Sequence, residues 1–246
     1  VYWSNWAGLS DVTSFIQVQR GLGSSKLAIA SVGGTMNYVT KASDLKQGGT
    51  VGTSFGNDNF FKSNVAYNTG KLDNGLSASV LLSQTMGDGY IPGTQFEGSN
   101  YYIALGYSTK NDKHDFQFTV TGAPQWHDQR TYASTIFNYI KFNPDNDGSP
   151  YRQYNSDFGY KTGANGDRYA IANRANYYAK PVMMVNWDWT MNEKSKLSTV
   201  LYMSNGRGGG TGDFGRINGK SYTAKELRGS DGLVRFYDIV KLNQVG

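Results

Sequence analysis

The chain has 246 residues, enough for one large domain or two ordinary ones. It holds no Cys and only two His, His114 and His127, which excludes disulfides, thiolate nucleophiles and Cys- or His-rich metal sites. The net charge is +5 and the 24 basic residues are scattered, so nucleic acid is not an expected partner.

Aromatics make up 14% of the residues and charged groups 17%, too aromatic and too weakly charged for a disordered chain. With 31 Gly against 5 Pro, the composition suits a β-rich protein with many turns. No run approaches 18 apolar residues, which excludes a transmembrane helix. A membrane strand needs only about 9–11 alternating residues, so a membrane stays open. The start at Val1 shows no signal-peptide pattern.

In chain order, "FIQVQRG" reads as a strand ending in a glycine turn, and "TMNYVTK" as a second strand after Gly33-Gly34. Between them lies a phosphate-loop lookalike, Gly21-Leu22-Gly23-Ser24-Ser25-Lys26. It fails, because Ser25 stands before the lysine where a P-loop has Gly, and Leu27 follows it. Lys26 also occupies the place of the third glycine in a dinucleotide fingerprint, and no βαβ unit surrounds it.

Period-2 alternation dominates after residue 48. It predicts strands at "VGTSFG", "FKSNVAYN", "LSASVLLS", "YYIALGYS", "FQFTVT", "VMMVNWDW" and "LSTVLY", with an eighth at 233–242, "LVRFYDIVKL". Short polar turns at 71–75, 110–113 and 192–195 alternate with long connections near 84–99, 122–178 and 204–232. Short turns at one end and long loops at the other are the asymmetry of an outer-membrane barrel. Aromatics near strand ends, such as Tyr101, Tyr107, Trp187 and Trp189, fit membrane interfaces and fit ordinary strand propensity equally.

The opening segment, with Val18, Arg20, Gly21, Ser24, Gly33, Gly34, Asn37, Thr40 and Lys41, resembles the end of the plug domain of TonB-dependent outer-membrane receptors. The segments "GDGY" at 87–90 and "GAPQ" at 122–125 resemble receptors of Bacteroidetes-like bacteria. The resemblance covers about residues 12–130. It implies an all-β fold: part of a plugged antiparallel transmembrane barrel of about 22 strands. Residues 1–43 would be the C-terminal part of the plug, and 44–246 the first seven or eight barrel strands. The chain is then expected to be a piece of a larger protein, with the TonB-contacting segment elsewhere. The glycines would serve close plug packing, and Arg20 would be a lumen-buried charge needing a carboxylate partner.

The resemblance further implies an outer-membrane location and TonB-driven uptake of a scarce nutrient: an iron chelate, oligosaccharide, peptide or cobalamin-like compound. The expected partners are TonB, the nutrient, the lipid bilayer and a surface lipoprotein, with no cofactor and no catalysis. The ligand candidates are Tyr90, Trp126, His127, Tyr132, Tyr139, Tyr151 and Tyr154, with Phe158 in the same aromatic-rich loop. Such a loop suits sugar or peptide binding and suits self-packing equally. Asn143, Asp145 and Asp147 open like a calcium loop, but Tyr154 stands where an EF-hand has Glu, so a solvated turn competes. Two other classes remain: a secreted glycan-binding β-sandwich, which would bury Leu76, Val80, Ile103 and Phe118 in a core, and a barrel enzyme, for which no nucleophile–base pair is visible.

Overall fold

The structure is a computed structural model that describes residues 12–13, 15–21, 32–130, 134–162, 165–212, 216–217, 220–221 and 226–244. A hairpin of β1 (Phe15–Arg20) and β2 (Gly34–Val39) is followed by a 3-10 turn, Ala42–Asp44. The strands β3 (Gly48–Phe55), β4 (Phe61–Asn68), β5 (Leu76–Gly87), β6 (Phe96–Ser108), β7 (His114–Gly122) and β8 (Gln125–Asp128) come next. After α1 (Ile136–Lys141) come β9 (Phe158–Thr162), β10 (Arg168–Ala172), β11 (Ala175–Ala179), β12 (Val182–Asn192), β13 (Ser195–Ser204) and β14 (Arg207–Gly210). The helix α2 (Phe236–Gln244) follows.

One antiparallel sheet of ten strands dominates, ordered β13-β12-β7-β6-β5-β4-β3, with β8, β11 and β14 extending it at one end. Every neighbour on the main path is a sequential hairpin partner except β7 and β12, which residues 123–181 connect, so the sheet is an up-and-down wall. Its two edges, β3 and β13, do not meet each other.

The register shows that three pairs of short strands are each one long strand. Tyr178 faces Gln125 in β11 and β8, and Val182 faces Thr121 in β12 and β7, four positions along in each direction. Tyr178 likewise faces Gly208, and Val182 faces Ser204. The interruptions lie at one level, at Ala123-Pro124, Lys180-Pro181 and Asn205-Gly206. Proline has no N–H to give to a ladder, which breaks the bonding there without shifting the register. The seven long strands are those the alternation predicts. The first long connection shrinks to 88–95, because β5 and β6 run further than their alternating cores.

The strand expected at 233–242 is instead the helix α2. Its apolar residues follow a three-to-four period: Phe236 and Ile239 are buried, and Arg235 pairs with Asp238 at 2.7 Å across one turn. The segment 122–178 is likewise not a bare loop, since it carries β8, α1, β9, β10 and β11.

The two faces of the sheet are inverted relative to a soluble protein. The outer face carries Leu76, Val80, Leu82, Ile103, Leu105, Phe116, Phe118, Val185 and Leu201, all exposed. The inner face carries Ser77, Ser79, Ser83, Asn100, Gln117, Thr119 and Thr121, all buried. The outer rows run straight across the sheet: Val65 faces Leu82, Leu105 faces Phe118, and Phe118 faces Val185. Leu76, Val80, Ile103 and Phe118 are 37–47% exposed, and among the described residues no second sheet covers them.

The segment after β2 covers part of the inner face. Ala42 is fully buried and packs with Val12, Ala66, Leu81, Tyr102 and Ala104. Tyr102 Oη donates to Thr40 O at 2.5 Å, the Ala42 N–H donates to Gln117 Oε1 at 2.9 Å, and Lys41 pairs with Asp115 at 3.2 Å.

The β1–β2 hairpin forms its own two-stranded sheet, with Arg20 opposite Gly34 and Asn37 donating to Gln17 Oε1 at 3.2 Å. Here two expectations fail. Arg20 is exposed, and among the described residues no carboxylate pairs with it, because the hairpin joins the large sheet by no ladder. Close packing explains Gly34 but not Gly33. A Cβ on Gly34 would collide with the Gln19 carbonyl oxygen and φ is +107°, whereas a Cβ on Gly33 meets nothing within 4 Å. Gly21 has φ +68°, as its turn position requires. Ser24 lies outside the described residues.

Candidate functional site

At the long-loop end the connections pack into one unit. The loop 88–95 is tied to the segment after α1: Gln153 Nε2 donates to Tyr90 O at 2.7 Å, and Asn155 Nδ2 donates to Pro92 O at 2.9 Å. Gly93 has φ +72°, and a Cβ there would run into the Phe158 ring, so only glycine admits that ring. The region before α2 joins through the Val234 N–H, which donates to Phe158 O at 2.9 Å. Leu227, Val234, Phe236 and Ile239 form a small core there, with Ile171 against it. The described parts of these loops therefore satisfy one another's backbone and apolar groups.

Tyr154 is the hub of this unit and is 2% exposed. Its hydroxyl donates to Gly232 O at 2.9 Å and accepts from Arg228 Nη1 at 2.6 Å. Its ring lies 4.9 Å from Phe142 and edge-on to Tyr139 at 6.3 Å. Burial raises the Tyr154 phenol above its ordinary pKa, with the Arg228 charge working against the shift.

Beside Tyr154 opens a cavity of about 440 Å³, lined by Phe142, Tyr151, Phe158 and Tyr160 with Asn143, Gln153, Asn155 and Asp231. Its volume lies in the range of small-molecule sites, and its walls are aromatic with a few polar groups. Burial also raises the Tyr151 phenol, with the neighbouring Tyr90 phenol and the Asp145 carboxylate adding to it.

The predicted ligand residues divide. Tyr151 and Tyr154 come together in this cavity, with Tyr139 behind Tyr154, where its hydroxyl accepts the Ser134 N–H at 3.0 Å. Tyr90 is 66% exposed and lines a neighbouring hollow of about 300 Å³ with Asp58, Asp88 and Asp128. Trp126 does not join them. The preserved register puts it on the outer face beside Tyr177, its partner, and its indole N–H donates to Glu97 Oε2 at 3.2 Å. His127 faces inward, edge-on to Tyr178 at 6.4 Å and with Nε2 3.2 Å from Gln129 Nε2. Burial lowers the His127 pKa and raises that of Asp128. Tyr132 lies outside the described residues.

Asn143, Asp145 and Asp147 do come together, as a hydrogen-bonded turn. Asn143 Nδ2 donates to Asp147 Oδ1 at 2.8 Å, and the Asp145 N–H donates to Asn143 Oδ1 at 3.0 Å. The Ser149 N–H donates to Asp147 Oδ1 at 2.8 Å and holds that carboxyl below its ordinary pKa. Asp147 thus takes its charge compensation from N–H donors, and among the described residues no cluster of His, Cys, Asp or Glu is arranged to hold a metal.

Phe142, Asn155, Tyr160 and Asp231 are site residues that the sequence does not single out. Asp231 comes from a different connection, Phe142 caps α1 just before the Asn143 turn, and Tyr160 sits in the short strand β9.

No family model matches this sequence, and no curated protein matches it. The fold is similar to the crystal structure of the siderophore receptor PiuA from Acinetobacter baumannii, with a TM-score of 0.56 at 11% sequence identity. The likeness covers 80% of this chain and 26% of that chain, so this chain spans about a quarter of that receptor's length. What the two share is a fold: an all-β, antiparallel sheet like part of a β-barrel wall.

Proposed function

We infer that the chain is the plug-to-wall part of an outer-membrane receptor that takes up a scarce nutrient. The observation that carries this is the inversion of the sheet: an apolar face left exposed and a polar face buried, part of it under the preceding segment. In water such a face would expose a contiguous apolar surface, whereas against lipid it is the low-energy arrangement.

The ends of the apolar band support the same reading. Near the short turns, His114, Phe116, Trp187 and Trp189 stack on the outer face with centroids 5.6–6.3 Å apart. Near the loops, Tyr101 is followed by Ser99, Gln84 and Glu97, with Gln84 Nε2 donating to Glu97 Oε1 at 2.7 Å. Amphipathic rings and then polar groups are what headgroup levels favour.

In this reading the nutrient meets the loop cavity first and the wall and plug lie below it. TonB, contacting a part of the receptor outside this chain, moves the plug, and a surface lipoprotein covers the loops. The chain binds and transports, with no catalytic step of its own. The Bacteroidetes-like subgroup rests on residues 87–90 and 122–125 alone. An iron chelate is the nutrient class that the fold likeness to a siderophore receptor favours.

The test is expression of the full-length gene followed by membrane fractionation and gel mobility before and after boiling. Recovery in the outer membrane with heat-modifiable mobility is expected. A protein recovered in the soluble fraction overturns the reading.

A further inference from the structure

Against the aromatic cavity lies a second hollow of about 630 Å³, sharing Tyr160, Ser230, Asp231 and Leu233 with it. Three guanidinium groups line it, Arg168, Arg228 and Arg235, against one carboxylate, Asp231.

Arg228 and Arg235 are anchored by hydrogen bonds, Arg168 lies exposed over an aromatic ring, and the three guanidinium groups face two carboxylates, Asp231 in the lining and Asp238 beside Arg235. Arg228 Nη1 donates to two neutral oxygens, Tyr154 Oη at 2.6 Å and Gly232 O at 3.4 Å. The Nε–H groups of Arg228 and Arg235 are buried and meet no acceptor among the described residues. Arg235 is paired with Asp238 at 2.7 Å, whereas the exposed Arg168 lies over the Tyr160 ring at 4.1 Å. Stacking occupies the face of that guanidinium and leaves its in-plane donors for an acceptor. Arg228, half-buried and bonded among the described residues only to neutral oxygens, is the cation that an anion in the hollow would relieve, and the open in-plane donors of Arg168 would join it.

We propose that the two hollows form one two-lobed site for a polyanionic small molecule. Carboxylate-type or phosphate-type oxygens take the arginine lobe, and an aromatic or apolar body lies against Phe142, Tyr154 and Phe158. The proposal rests on the receptor reading for the nature of the protein, and deepens it by naming the charge of the ligand.

The test is calorimetric titration of the purified full-length protein in detergent. The probes are benzene-1,3,5-tricarboxylate, inorganic pyrophosphate and the neutral sugar maltohexaose. Binding of an anion that weakens with added salt is expected. Arg168→Gln should lower that affinity by about tenfold or more. Lys110→Gln, in a short turn at the far end of the sheet, should not. Tighter tricarboxylate binding assigns a carboxylate ligand, and tighter pyrophosphate binding a phosphate one. Arg228→Gln also loosens Tyr154, so the deciding variant is Arg168→Gln, which leaves the Tyr154 contacts intact. Failure of both anions to bind, equal binding by Arg168→Gln, or binding of maltohexaose alone overturns the proposal. Because the titration is read on purified protein, that failure is distinct from recovery in the soluble fraction, which overturns the receptor reading.

Discussion

The backbone N–H of Ala42 donates to the side chain of Gln117, 75 positions later in the chain, at 2.9 Å in a buried setting. Gln117 Nε2 in turn donates to Thr40 O at 3.3 Å and to Thr119 Oγ1 at 3.0 Å. One amide on the inner wall therefore satisfies both a donor and an acceptor of the segment that crosses it. Gln117→Leu leaves the Ala42 N–H and the Thr40 carbonyl without this partner and is expected to cost about 1–3 kcal/mol. Denaturant unfolding of wild type and variant in the same detergent measures it; an unchanged midpoint would show that water replaces the glutamine.

Leu105 is 56% exposed on the outer face, opposite Ala78 and Phe118. If lipid covers that face, Leu105→Arg near mid-band lowers stability by roughly 2–4 kcal/mol in vesicles. On a water-exposed face the same change stays within about 0.5 kcal/mol. Unfolding in urea from phospholipid vesicles distinguishes the two.

Tyr154→Phe keeps the ring packed on Phe142 and deletes the hydroxyl that links Arg228 to Gly232. Arg228 and the Gly232 carbonyl then lose a partner, which is expected to loosen the loop unit by about 1–3 kcal/mol while the sheet stays intact. Amide hydrogen exchange should show protection falling in 134–162 and 226–235 and unchanged in β5 and β6.

The glycines of the plug-like motif are predicted to differ. Gly34→Ala forces a side chain into φ +107° and against the Gln19 carbonyl, so the β1–β2 hairpin should lose about 1–3 kcal/mol. Gly33→Ala meets open space and should change little. Proteolysis rates at the hairpin read the difference directly.

Acid should weaken the loop-side end of the sheet through His127. Burial lowers its pKa in the folded state, so the unfolded chain takes up the proton first. The stability from neutral His127 is present above its ordinary value near 6.5 and is lost as pH falls below it. Asp147 acts in the same direction at lower pH: its folded pKa is depressed, so its contribution holds above 3.8 and is lost as pH falls through the folded value. Asp128 has the opposite sign, its raised pKa giving a contribution present below 3.8 and lost as pH rises through the folded value. His127→Gln should flatten the stability curve between about pH 7 and 5, which thermal melts across that range would reveal.

The seven wall strands were legible in the sequence because their alternation is local, each side chain pointing opposite to the next. Which face met water was not, because period 2 marks two faces without saying what covers either. The buried state of Ser79, Gln117 and Thr119 became visible only once the segment 40–44 lay across them. Trp126 shows the same limit: its loop-like neighbourhood suggested ligand contact, while the register carried unbroken past Pro124 puts it on the outer face.

The sequence by itself determined the all-β class, the seven strands, the short-turn and long-loop ends, and the absence of thiol and His-rich metal chemistry, since each follows from residue type and near-neighbour spacing. Tertiary structure decided the rest. It turned 233–242 into a helix, because a period near 3.6 lets Phe236 and Ile239 reach the core that Leu227 and Val234 build. It left Arg20 exposed, and it gathered Tyr151, Tyr154, Tyr160, Arg168 and Arg228 from separate connections around adjoining hollows. Contacts across such sequence separations depend on how the loops close over one another, and no local pattern encodes that.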